Sequence, residues 1–68
     1  MRREWLYKKR EKKCLSQQEV AEFIGKSPAL YSAIENGTRR PSPDVAQKLA
    51  KLFDFDWTLF YEKKINKN

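Results

Sequence analysis

The sequence predicts an all-α domain of five short helices, and three observations carry that reading. Helix start signals recur along the chain: Ser16 with Glu19 three residues later, Ser27-Pro28, and Ser42-Pro43-Asp44. Apolar residues follow each signal at helical spacing, as at Val20, Ala21 and Ile24. The two glycines, Gly25 and Gly37, stand just past two of those stripes, where helices end.

The elements follow in order. Helix 1 runs from about Arg2 to Lys13 and is rich in good helix formers. Ser16-Gln17-Gln18-Glu19 is a capping box. The Ser16 hydroxyl accepts from the Glu19 backbone N–H, and the Glu19 carboxylate reaches back to the Ser16 N–H. Helix 2 then spans Gln17–Ile24. Gly25 supplies a position where positive φ carries no steric cost. Ser27 caps helix 3, and Pro28 opens it with a preset φ. Tyr31 and Ile34 form its inward face, and it ends at Asn36. The linker Gly37-Thr38-Arg39-Arg40-Pro41 is polar and basic. Helix 4 begins at Ser42-Pro43-Asp44: cap, first-position proline and an acid that suits the helix dipole. It buries Val45, Ala46, Leu49, Leu52 and Phe53. Asp56 caps a last short helix carrying Trp57, Leu59, Phe60 and Tyr61. One domain is expected over 1–62, followed by a flexible polar tail over 63–68.

Helices 2 and 3 are too short to lie side by side across so tight a turn. They must cross steeply, which is the geometry that pushes a second helix into the major groove of DNA. The segment resembles the helix-turn-helix of phage Cro/CI-type repressors, the XRE family. Members of that family carry a pattern close to L-S-Q-x-E-[VL]-A-x-x-[IV]-G-x-S-x-x-x-[IY]-S-x-[IL]-E-N-G-x-x-x-P. The residues in register are Leu15, Ser16, Gln17, Glu19, Val20, Ala21, Ile24, Gly25, Ser27, Ser32, Ile34, Glu35, Asn36, Gly37 and Pro41. The resemblance extends to about Phe60 and implies a compact five-helix, lambda-repressor-like DNA-binding domain.

Composition bounds the function. The 68 residues allow one domain and a small core. No apolar run is long enough to span a membrane, and no signal-peptide pattern is present, so a cytoplasmic location is expected. One cysteine, Cys14, excludes an internal disulfide and a cysteine-based zinc cluster. The chain has no histidine, the commonest general base and metal ligand, and no Gly-rich phosphate loop. An enzyme, a metal, a cofactor and a small-molecule ligand are therefore not expected. Lys and Arg number 15 against nine Asp and Glu, a net +6 that favours polyanions. Arg2, Arg3, Lys8, Lys9, Arg10, Lys12 and Lys13 all precede Cys14. A solvated helix face explains them as readily as a nucleic-acid contact. The uneven apolar stripe of helix 1 argues against a membrane-surface helix.

The expected core comprises Leu6, Leu15, Val20, Ala21, Ile24, Tyr31, Ile34, Val45, Leu49, Leu52, Phe53, Phe55, Leu59 and Phe60. Tyr31 needs a partner for its hydroxyl if it is buried. In the family, an arginine near the end of helix 1 meets the glutamate of the E-N-G motif. The resemblance thus implies a structural ion pair of Arg10 with Glu35, tying helix 1 to helix 3.

Affinity for DNA comes mostly from phosphates, and sequence choice comes from base edges. Gln17 and Gln18 open helix 2, where free backbone N–H groups favour a phosphate. The resemblance implies that Gln17 clamps a phosphate; the alternative is a solvent-facing glutamine. Asn36, Thr38, Arg39 and Arg40 stand where family members grip the flanking backbone; an ordinary polar loop is the alternative. On helix 3 the chain departs from the family. Lys26, Ser27, Pro28, Ala29, Ser32 and Ala33 occupy positions that usually hold Gln, Arg, Asn, Lys or Thr, which read bases bidentately. Pro28, Ala29 and Ala33 offer only contact with a thymine methyl or a close approach. Specificity would then rest on DNA shape, on the basic N-terminal segment reaching a neighbouring groove, or on a protein partner instead of DNA.

A module this small makes few contacts, and family members pair on half-sites about 34 Å apart. Phe55, Trp57, Phe60 and Tyr61, with Ile65 beyond them, are the expected dimer surface of a homodimer; Trp5 is a second candidate patch. Lys9 stands where the family has an apolar residue, and Cys14 replaces the glycine that often ends helix 1.

Two functions are in view. One is a sequence-specific regulator of transcription, a repressor or control protein of phages or other mobile elements. It binds a palindromic operator in double-stranded DNA as a dimer, and an antagonist protein is a possible partner. The other is a protein-interaction module that holds a partner through helix 3 or the aromatic C-terminal end.

Overall fold

A computed structural model describes residues 2–61. The expected tail over 63–68, Ile65 included, lies outside the described residues. Four α-helices and one 3₁₀ segment follow in order: α1 Glu4–Lys12, α2 Gln17–Ile24, α3 Pro28–Asn36, α4 Pro43–Phe53 and the 3₁₀ segment Trp57–Tyr61. The fold is all-α, but the fifth helix is a single tight 3₁₀ turn. Its start explains the tight winding. The Asp56 carboxylate accepts from the Thr58 N–H at 3.0 Å and from its hydroxyl at 2.8 Å. The Asp56 carbonyl then accepts the Leu59 N–H three residues on, at 2.9 Å.

Local chemistry sets most of the boundaries. The capping box is formed in both directions, Glu19 N–H to Ser16 Oγ at 3.0 Å and Ser16 N–H to Glu19 Oε1 at 2.8 Å. Gly25 at φ 71 and Gly37 at φ 86 close α2 and α3 in the left-handed region, as the turns require. Ser27 caps α3 through the Leu30 N–H at 3.2 Å, and Ser42 caps α4 through the Val45 N–H at 3.3 Å. Each such cap stabilises its helix by about 1 kcal/mol. Helix 1 starts at Glu4, two residues later than the sequence predicts. Arg3 precedes it with no side-chain cap, and its backbone N–H goes instead to the Glu35 carbonyl at 2.7 Å. The helix stops at Cys14, which holds φ 57, a conformation that glycine adopts at lower cost.

One core joins the elements. Leu6, Val20, Ala21, Ile24, Tyr31, Ile34, Val45, Ala46, Leu49, Phe53 and Phe60 are buried together. Leu15, Leu52 and Phe55 pack on its rim, beside Trp5 and Leu30, which the sequence pattern does not mark. Leu59, expected inside, is half-buried and stands outside the cluster. A short 3₁₀ turn cannot face every apolar residue inward. Among the helix pairs, α2 packs most extensively on α3. Helix α1 contributes only Leu6 as a buried residue. Full burial of one leucine is worth about 1.5–3 kcal/mol, so α1 depends on polar ties as well. No described helix is long and apolar enough to cross a membrane.

Candidate nucleic-acid interface

The two helices of the motif are locked from behind by a buried carboxylate. Glu35 is 2% exposed. Arg10 meets it twice, Nε to Oε1 at 2.8 Å and Nη2 to Oε2 at 3.2 Å. Tyr31 donates its hydroxyl to Oε1 at 2.9 Å, and Gln17 donates Nε2 to Oε2 at 3.2 Å. Arg10 Nη1 also closes on the Leu15 carbonyl at 2.7 Å. Burial by itself would raise the Glu35 carboxyl, but hydrogen bonds from Arg10, Tyr31 and Gln17 outweigh it and hold the group below the usual glutamate value. The same hydrogen bond from Glu35 raises Arg10 against the opposing effect of burial. Tyr31 is pushed up, first by burial and then by the carboxylate it serves. The expected Arg10–Glu35 pair is thus present as part of a four-residue network joining α1, α2 and α3.

A second tie comes from Arg3. Its Nη1 donates to the Ile34 carbonyl and, at 3.1 Å, to the Arg39 carbonyl. These are carbonyls at and just past the end of α3, where a cation is favoured by the helix dipole. Burial and the neighbouring Arg40 charge both lower the Arg3 guanidinium. Arg3 is therefore a clamp on α3 and not a free arm reaching a neighbouring groove. Arg2 is also occupied, pairing with Glu4 at 3.3 Å and lying 3.8 Å over the Tyr7 ring. The expected arm does not form, because the sequence alone does not reveal that its arginines have partners within the fold.

The outward side of α3 is small and sparsely polar. Tyr31, Ile34 and Glu35 point into the protein. Ala29, Ser32, Ala33 and Asn36 recur at positions i, i+3, i+4 and i+7 on the opposite face. Ala29 and Asn36 are exposed, while Ser32 and Ala33 are half-buried. Ser27 and Pro28 are exposed at the start of the helix. The Ser27 oxygen is engaged as a cap, but its hydroxyl proton is still available. Past the end of α3, the Thr38 hydroxyl and N–H and the Arg39 N–H all converge on the Ala33 carbonyl. That convergence holds the basic loop against the helix. Lys26, Arg39 and Arg40 are exposed and line one groove of about 310 Å³ with Leu30, Pro41 and Val45. Among the described residues no acidic side chain makes a salt bridge with these three cations. Gln18 is exposed beside the half-buried Gln17.

Residues 6–60 match the helix-turn-helix family. The chain belongs to that family. It is 46% identical over 66 residues to an uncharacterized HTH-type transcriptional regulator, YqaF, of Bacillus subtilis (strain 168), covering 97% of this chain and 87% of that protein. No solved structure matches it. Family and relative together point to DNA-bound regulation of transcription.

Opposite the core, this helix-turn-helix domain carries an aromatic end. Trp5 stacks edge-on against Phe55 at 5.1 Å and lies 5.1 Å from Phe60; Phe55 and Phe60 are 5.6 Å apart. The two patches expected separately, Trp5 and the C-terminal aromatics, are therefore one cluster. Phe60 is 7% exposed and belongs to the core, so it is not available as a dimer surface. Its burial follows from Trp5, whose packing against it has no local sequence signal. Phe55, Trp57 and Tyr61 remain half-buried. Tyr61 donates its hydroxyl to the Pro41 carbonyl at 2.8 Å, anchoring the 3₁₀ segment to the basic linker. Lys9 is accommodated by laying its ammonium 5.8 Å over the Phe55 ring. One exposed aromatic, Phe23 at 51%, has no distinguishing sequence signal because it sits beside the stripe of α2.

Proposed function

We propose that the protein is a dimeric DNA-binding repressor or control protein of the Cro/CI type that regulates transcription from an inverted-repeat operator. The observation that carries this reading is the pairing of α2 with α3. The outward face of α3 is framed at one end by Lys26 and at the other by Arg39 and Arg40. Such cations neutralise phosphates on either side of a groove, while the helix between them sets the register. With Ala29, Ser32 and Ala33 outward, direct base readout is thin. It consists of apolar contact with thymine methyls and weakly discriminating hydroxyls. Sequence choice then rests on groove width and bendability. Gln17, Gln18, Asn36 and Thr38 complete the proposed phosphate contacts, and Phe55, Trp57 and Tyr61 the proposed dimer surface.

Selection from a random duplex pool at near-physiological salt tests this reading. The expected result is an enriched inverted repeat, its half-sites about one helical turn apart. Failure to enrich any sequence, with only weak salt-sensitive binding, would reject the operator. It would favour a protein partner on the bare α3 face.

A further inference from the structure

We propose that Glu35 is a positioning residue for DNA binding: its buried carboxylate fixes the Gln17 amide with nitrogen inward, leaving the second Nε2 hydrogen as the donor offered to phosphate. The proposal rests on the DNA-binding reading above and deepens it.

The argument begins with what each group can do. An ionised carboxylate only accepts hydrogen bonds. The Glu35 oxygens already receive Arg10 and Tyr31, so nothing turns them away from Gln17. At 3.2 Å from Oε2, the Gln17 amide must therefore present its nitrogen; its oxygen there would face a negative oxygen. The amide nitrogen carries two hydrogens, and Glu35 takes one. A phosphate is also an acceptor only, so the remaining hydrogen is the useful one. Gln17 is the first residue of α2, where the backbone itself favours an anion. A glutamine without Glu35 would sample both amide orientations and several rotamers. Held by Glu35, it is ordered during folding and not at the moment of binding.

The proposal makes an unusual sign prediction. Glu35→Gln removes a negative charge from a protein that binds a polyanion, so charge alone predicts tighter binding. Loss of amide positioning predicts weaker binding. Affinity for a mixed-sequence duplex at low salt is measured for wild type, Gln17→Ala, Glu35→Gln and the double variant. Thermal melts verify that each is folded at the temperature used. Each single change is expected to weaken binding roughly three- to tenfold, as for loss of one hydrogen bond to a charged group. The double variant is expected to bind no more weakly than Gln17→Ala, and the salt slope is expected to stay unchanged throughout. Wild-type or tighter binding by Glu35→Gln, or losses that multiply in the double variant, would overturn the proposal.

If Glu35→Gln does not fold, side-chain amide NMR of the wild type decides. One Gln17 Nε2 proton is expected to be shifted in the free protein, and the other to move when duplex is added. Gln17 protons that ignore the duplex overturn the proposal. Arg39→Ala with Arg40→Ala separates the two levels. Unchanged binding in that variant refutes DNA binding itself. Loss there with no effect at Gln17 refutes only the positioning role.

Discussion

Arg10 and Glu35 face each other through two parallel contacts, at 2.8 and 3.2 Å, with the carboxylate almost wholly out of water. Removing one partner leaves the other charged, buried and unpaired, which typically costs about 3–5 kcal/mol. Glu35→Ala strands three donors at once: Arg10, Tyr31 and Gln17. In a domain this small, each kcal/mol lowers the melting temperature by roughly 4–8 °C. Glu35→Ala is expected to melt far below the wild type, or to be unfolded at room temperature, by circular dichroism. A melting temperature within a few degrees of wild type would exclude the network as a source of stability.

The same network fixes the pH range of the fold. The folded Glu35 carboxyl lies below its ordinary value, so its stabilisation is present above the unfolded value of about 4.3 and is lost as pH falls through the folded one. Asp56 adds to the acid limb, being lowered by the Thr58 N–H and hydroxyl. Tyr31 behaves in the opposite sense. Its raised value means stabilisation that is complete below the unfolded value of about 10 and is lost at higher pH. With no histidine in the chain, little titrates between these limits. Melts across pH are expected to give a plateau from about pH 5 to 9, falling on both sides. Tyr31→Phe should flatten the alkaline side, and a step between pH 6 and 8 would contradict the assignment.

What the sequence makes legible follows from how local the chemistry is. The bounds of α2 and α3 are readable to the residue because Ser16, Glu19, Ser27 and Pro28 act within three positions of themselves. The start of α1 is not, because the Arg3 amide is satisfied by Glu35, far along the chain. The Arg10–Glu35 pair is accessible through resemblance, but the Gln17 and Tyr31 contacts complete only once three helices pack. Phe60 reads as a surface residue because its partner, Trp5, lies at the opposite end of the sequence. The basic N-terminal segment is open to reading as an arm because charge alone does not reveal that Arg3 is spent on α3.

Cys14 offers a gain in stability. At φ 57 an L-residue carries a steric penalty of about 1–2 kcal/mol, which glycine avoids. Glycine also gives the unfolded chain more freedom, which offsets part of that. The thiol is exposed, so little packing is sacrificed. Cys14→Gly is expected to raise stability by about 0.5–1 kcal/mol in chemical denaturation, and Cys14→Val to lower it. A destabilised glycine variant would mean that the turn carries no strain.

Arg39 and Arg40 test the electrostatic side of recognition. Both are exposed, and their removal should leave the fold intact, since Arg3 holds the Arg39 backbone carbonyl and not its side chain. Arg39→Ala with Arg40→Ala is expected to weaken binding to every duplex alike. The slope of log affinity against log salt should flatten by roughly 0.9 for each phosphate that is no longer neutralised. Weakening confined to one sequence would instead assign these residues to base readout.

Trp57 tests the assembly. It is half-buried, meets Tyr61 edge-on at 5.8 Å, and packs only on the rim of the core. A large indole left partly in water on the same end as Phe55 is what a two-fold partner would cover. Trp57→Lys places a charge there while leaving Phe60 and Trp5 to hold the core. The variant is expected to stay folded and to sediment as a monomer at concentrations where wild type is dimeric. Its affinity for an isolated half-site should change little, because α3 is untouched. Its affinity for the full inverted repeat should fall sharply, because the second module no longer binds at high effective concentration. If wild type is itself monomeric and the repeat is bound no tighter than the half-site, the aromatic end serves only to close the core.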